Sequence, residues 1–193
     1  MDELADRHSL RFHLDPFDDV VRAYLALWIA HLAEGLLAAG QIDRATAVAH
    51  RALDLALTHK ERGHHARGLA LLGAALAAAN PVDAGPAEDT YREALALADE
   101  LAMRPLVAQT LLGPGRLYQR TGRRAAAADR LADAVLLLHE MGMRPWLSSA
   151  ADELQAISDL FIVARSKRAL YDDLQRELGD RPIRIILDRR EGE

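Results

Sequence analysis

The chain has no cysteine among its 193 residues, and only 5% of them are aromatic. Without cysteine there is no disulfide framework, no thiolate metal site and no cysteine nucleophile, and the absence fits a reducing compartment. Half of the residues are hydrophobic even so. Ala and Leu therefore supply most of the apolar content, and helices built from them approach closely across small side chains. No apolar run reaches the ~20 residues of a membrane-spanning helix. The most apolar stretch, 24–39, is interrupted by His31 and Glu34. The opening Met1-Asp2-Glu3-Leu4 lacks the basic segment and apolar run of a secretory signal, so a soluble, cytoplasmic protein is expected. A formal net charge of −5 supplies no global basic field to gather nucleic acid or a membrane surface.

What is present is repetition. The segment Arg51-Ala52-Leu53-Asp54-Leu55-Ala56 recurs as Glu93-Ala94-Leu95-Ala96-Leu97-Ala98 and again as Asp133-Ala134-Val135-Leu136-Leu137-Leu138, the first interval slightly longer than the second. Met103-Arg104-Pro105 recurs as Met143-Arg144-Pro145 at that second interval, and Gly63 holds the matching place in the first unit. A period of about forty residues reads as a solenoid of helical hairpins. The second helix of each hairpin places residues four and seven apart on one face: Ala45, Ala49, Ala52, then Ala87, Tyr91, Ala94, then Ala127, Leu131, Ala134. The first helices carry the matching face: Ile29, Leu32, Ala33, Leu36, then Leu69, Leu72, Gly73, Leu76, then Leu111, Pro114, Gly115, Tyr118. Turns are expected at Gly40, Asn80 and Gly122, where left-handed backbone costs little. Helices are expected near 17–39, 42–59, 64–79, 84–102, 105–120, 123–141 and 145–157, the first capped by Asp15 before Pro16.

These residues resemble the tetratricopeptide repeat, in its longer variant of about forty residues, over residues 17–157. Glu61-Arg62-Gly63-His64, 91–98, 101–107 and Leu117-Tyr118-Gln119-Arg120-Thr121-Gly122 also resemble the C-terminal repeat region of large bacterial signalling ATPases with cyclase-like or kinase-like heads. The resemblance implies a mainly α fold: an N-terminal remnant (1–16), units at 17–62, 63–104 and 105–144, a closing helix (145–157) and an extension (158–193). It implies a non-enzymatic interaction scaffold in bacterial signalling or transcriptional regulation. No G-x-x-x-x-G-K-[ST] occurs, so ATP hydrolysis does not carry over. The lysine–asparagine clamp of chaperone-binding relatives is also missing.

The pattern changes after residue 157. Leu160-Phe161-Ile162-Val163-Ala164 and 183–187 read as short strands around a helix at 168–178, a β-α-β extension with a parallel crossover. Two parallel strands alone expose their edges. Pairing with another copy, and so a homo-oligomer, is the first expectation for this segment; packing on the last repeat helix and forming the start of a truncated α/β domain are the alternatives.

Candidate chemistry is sparse. His59, His64 and His65 straddle a turn at Gly63 with Glu61 as the nearby acid; they read as surface histidines, and no metal site or cofactor is expected. Gly113-Pro114-Gly115 lies within a helix and not after a strand, so it is no phosphate loop; Pro114 should kink that helix, at up to ~3 kcal/mol. Asp18-Asp19 and Asp172-Asp173 splay apart on helices, no G-x-S-x-G occurs, and no catalytic residue is assigned. The remaining surface is the groove along the first helices. Repeat phase assigns to it Leu27, Ala30, Glu34, Leu37 and Ala38, then Arg67, Ala70, Ala74 and Ala77, then Gln109, Leu112, Arg116, Gln119 and Arg120. The partner-binding positions are Glu34, Arg67, Gln109, Arg116, Gln119 and Arg120. That groove runs from apolar to basic and suits an acidic–apolar peptide or protein segment, not nucleic acid or membrane.

Overall fold

The computed structural model describes residues 16–80, 82, 84–157, 160–163, 168–178 and 184–187. Seven helices follow one another: α1 Pro16–Ala38, α2 Ile42–Thr58, α3 Arg62–Ala78, α4 Ala84–Glu100, α5 Arg104–Arg120, α6 Arg124–Glu140 and α7 Arg144–Ile157. From α2 to α6 each helix has 17 residues. From α2 onward the helix starts are evenly spaced along the chain, except that the connection between α3 and α4 is longer than the others. That connection accounts for the first repeat interval exceeding the second. Consecutive helices pack together, and α1, α3 and α5 also pack in a row with α3 in the middle. The fold is mainly helical, a repeat array of packed pairs. Residues 1–15, including the Asp15 cap, lie outside the described residues.

One local device closes most of these helices. Gly40, Lys60, Ala102, Gly122 and Gly142 follow α1, α2, α4, α5 and α6 with φ of 70°, 57°, 53°, 77° and 66°. In each, this residue's N–H bonds the carbonyl three back, and the next N–H bonds five back, as in Gly122→Gln119 and Arg123→Tyr118. That is a Schellman closure, which satisfies the orphan carbonyls of the last turn. The helix α3 ends differently, at Ala79 with φ −58°. The second donor of such a closure would fall at position 81, where the sequence has proline and no N–H. Lys60 and Ala102 hold the left-handed geometry without being glycine. Lys60→Gly and Ala102→Gly are each expected to stabilise by about 0.5–1 kcal/mol, read as a rise of roughly 1–4 °C in Tm.

The turn expected at Gly63 stands three residues earlier, at Lys60. Gly63 lies in the first turn of α3, as Pro105 does in α5. The helix α5 is continuous across Pro114, which is buried within it.

The core is a ladder of matched sizes. The outer helices bury Ala45, Ala49, Ala52 and Ala56, then Ala87, Tyr91, Ala94 and Ala98, then Ala127, Leu131, Ala134 and Leu138. Where an outer helix carries a bulky residue, the inner helix opposite carries glycine. A Cβ on Gly73 would lie 2.9 Å from the Tyr91 ring, and one on Gly115 would lie 2.9 Å from Leu131. At the equivalent place in the first pair, Ala33 and Ala49 are both fully buried in one cluster. Interhelical close packing forces this compensation.

Leu32 departs from the expected buried face: it is 54% exposed. Its equivalent, Leu72, is buried, and nearby Gly68 abuts Leu53 of the preceding hairpin. Among the described residues α1 has no preceding hairpin, so Trp28 and Leu32 are left open.

After α7, strand β1 (Leu160–Val163) pairs in parallel with β2 (Arg184–Leu187), Leu160 opposite Arg184, with helix α8 (Arg168–Leu178) between them. Leu174 of α8 is completely buried in the cluster that holds Leu138, Leu147 and Leu154, and Tyr171 packs against that cluster. Through this contact α8 touches the core of the α6–α7 pair.

Candidate functional site

A groove of about 640 Å³ runs over the inner helices. Its floor is low because α3 presents Ala70, Ala74, Ala77 and Ala78, and α5 presents Gly113. Glu34, Leu37 and Ala38 of α1 flank one side; Gln109, Arg116 and Arg120 of α5 with Trp146 of α7 flank the other. Tyr91 reaches the groove from α4, because Gly73 and Gly113 both lack the Cβ that its ring would meet.

Of the six positions assigned from repeat phase, Glu34, Arg67, Gln109, Arg116 and Arg120 line this groove together. Gln119 does not; it is exposed and lies outside the lining. Arg116 and Arg120 are four apart, and Gln119 falls on the far side of Arg116 from Arg120, about 60° from the one and 100° from the other, at the edge of that face. Leu27 and Ala30 also fall outside the lining. Repeat phase did not find Tyr91, Thr110, Gly113 or Trp146. Tyr91 belongs to an outer helix, and only the adjacent glycines 73 and 113 hint that its ring passes through.

The groove is not the simple basic end that its arginines suggest. Arg116 forms a two-pronged bond with Glu153 of α7, Nε–Oε2 at 2.7 Å and Nη2–Oε1 at 2.6 Å. That carboxylate holds the guanidinium above its ordinary pKa against the opposing effect of burial. Arg67 Nη2 lies 2.6 Å from Glu34 Oε1. Arg120 Nη1 donates to the carbonyl of Ala77, in the last turn of α3, where the helix dipole is negative. Among the described residues no carboxylate pairs with Arg120. The outcome is an apolar trough with two compensated ion pairs and one cation held by a helix end.

Two buried polar atoms lack partners among the described residues, Arg67 Nε and Thr110 Oγ1. Both residues line the groove. Tyr91 is 4% exposed, and burial raises its pKa, with Arg116 acting weakly the other way. The neutral phenol is the form that folding favours. Its stabilisation is complete below the unfolded value of ~10 and is lost as pH rises toward the folded value. Tyr91→Phe is therefore expected to flatten the decline of Tm above about pH 10, with little change at pH 7. An unaltered alkaline decline in that variant contradicts this assignment.

The histidines stay local: His64 Nδ1 lies 3.0 Å from Glu61 Oε2, three positions earlier in the chain. Among the described residues no three metal-ligating side chains converge, and no helix is long and apolar enough to cross a membrane. No family model matches the chain, and no curated protein matches it.

Proposed function

We propose that the chain is a non-enzymatic interaction scaffold of the tetratricopeptide kind, holding a protein or peptide segment in the groove over α1, α3 and α5. The observation that carries this reading is the alanine- and glycine-floored trough, walled by Trp146 and by Arg120, whose charge no described carboxylate balances. An apolar floor with few polar points at its edge fits a segment bearing bulky apolar residues and an acid. The role in bacterial signalling rests on the resemblance of 61–64, 91–98, 101–107 and 117–122 alone. To test the reading, peptides are selected from a random display library on the full chain, and amide shifts are mapped on addition of each. Shifts centred on Ala74, Arg116 and Arg120, with binding lost in Arg120→Glu, are expected. No enrichment, or shifts confined to the outer helices, overturns it.

A second reading, oligomerisation through the C-terminal strands, is favoured by the parallel β1–β2 pair, which has no third strand among the described residues. Each strand then leaves one row of backbone donors and acceptors free. Light scattering of the full chain over a hundredfold concentration range decides it: a monomer throughout removes this reading.

A further inference from the structure

The inner helices follow a size rule that α1 breaks. Gly68, Gly73, Gly113 and Gly115 each leave room for a side chain of another helix: Leu53, Tyr91, Tyr91 again and Leu131. Gly35 also lies within a helix, yet nothing among the described residues stands within 4 Å of the Cβ it lacks. A glycine there costs α1 up to ~1 kcal/mol against alanine, and no described contact accounts for it. By repeat phase, Trp28, Leu32 and Gly35 match Gly68, Leu72 and Ala75 of α3, and Thr110, Pro114 and Leu117 of α5. All six of those later residues are buried. In α1 the three stand open, with Trp28 60% exposed. Tyr24 and Ala39, at the two ends of the same stripe, are exposed as well. Positions four and seven apart share a helix face. The stripe therefore carries no charge, is bulky in its N-terminal half and is small in its C-terminal half.

That gradient names the occupant. A two-fold axis perpendicular to α1, passing between positions 31 and 32, lays two copies of the helix antiparallel. Trp28 then meets Gly35 of the partner subunit, and Tyr24 meets Ala39 of the partner subunit. Bulky falls on small at each level and in both directions, as an isologous interface requires. Within the chain, Tyr91 and Gly73 already pair in this way. A parallel pairing would set Trp28 on its own copy and leave two glycines facing a void. Large aromatic side chains present about 150–250 Å² each, so the exposed parts of Tyr24, Leu25, Trp28 and Leu32 come to roughly 400 Å² per copy. With His31, Gly35 and Ala39 added, a pair buries on the order of 1,000 Å², the lower bound for a specific interface. We propose that α1 is a self-docking face, through which two copies of this chain pair antiparallel with Trp28 of each seated on Gly35 of the other. Glu34, Leu37 and Ala38, which α1 gives to the groove, are not in the stripe, so this pairing is independent of the groove reading.

Sedimentation of the full chain from low to high micromolar concentration is expected to give a weak, reversible monomer–dimer equilibrium. Trp28→Ala removes the bulky partner and Gly35→Trp fills its seat; each alone is expected to weaken association about tenfold or more. Carried together in one chain, the two changes again set bulky on small, and dimerisation is expected to return. Leu32→Cys, in a chain with no cysteine, is expected to give a disulfide-linked dimer under mild oxidation, because position 32 lies beside the axis. The control Leu57→Cys, exposed on α2, is not expected to do so. A chain that stays monomeric throughout overturns the proposal. In that case a fall in Tm of more than about 4 °C for Trp28→Ala would assign the face to another segment of the same chain. A dimer indifferent to both single changes forms elsewhere, as at the β1–β2 edge, and overturns it too. A double variant that associates no better than the single ones overturns the antiparallel seating and the proposal with it.

Discussion

Replacing Tyr91 with alanine is expected to cost about 3–5 kcal/mol, the range for truncating a large buried aromatic side chain. Tyr91 is the only large aromatic residue in the described core; its ring sits between α3 and α5, where Gly73 and Gly113 make room for it. With the ring gone, both glycines face a void, and neither has a side chain to relax into it. Because the ring also lines the groove, the void opens toward solvent and water fills part of it, which favours the lower half of that range. The expected readout is a fall in Tm of roughly 6–15 °C. A fall under about 2 °C contradicts the wedge role. The groove should also lose definition, so library peptides are expected to bind this variant poorly even where it remains folded.

Gly115→Ala tests the same packing logic one hairpin later. The new Cβ would stand 2.9 Å from Leu131 Cγ and Cδ2, and Leu131 is completely buried, so it has little room to yield. Overpacking of this kind costs about 1–3 kcal/mol, against which alanine returns up to ~1 kcal/mol of helix propensity. A net loss of about 1–2 kcal/mol is expected for the single variant. Leu131→Ala alone should cost about 2–5 kcal/mol. The double variant restores the small-on-small pairing that Ala33 and Ala49 use in the first hairpin. In the double-mutant cycle, measured by denaturant unfolding, the combined cost is expected to fall short of the sum by at least about 1 kcal/mol. Strict additivity would show that the glycine and the leucine are not matched.

The helical plan was largely legible before any coordinates. Periodic alanines mark the buried faces, and left-handed glycines mark the turns, so the described helices fall within two residues of the expected bounds. Where the reading slipped, the cause is physical. Lys60 and Ala102 close their helices without glycine, because the Schellman bonds and the packing of the next helix hold the left-handed turn in place of residue preference. Leu32 looks buried by phase, but burial needs a neighbour, and α1 has none on that face among the described residues. Repeat phase counts Gln119 with the groove positions, yet it lies beyond Arg116 on the side away from Arg120 and outside the lining.

The site was legible in outline only. Repeat phase brought five of six assigned residues to one groove, because the period by itself stacks the inner helices. The charge of that groove could not be read the same way. Arg67 and Glu34 are 33 residues apart and Arg116 and Glu153 are 37 apart. Whether such pairs meet depends on how far each hairpin is rotated against the next, and no local pattern encodes that angle. The same packing leaves Thr110, alone of the five threonines, with a buried hydroxyl that has no partner among the described residues. Helices, turns and period follow from rules that act within a few residues of each other, so the chain specifies them one stretch at a time. Charge balance and the depth of the groove are properties of distances between helices, and they exist only once the helices have packed.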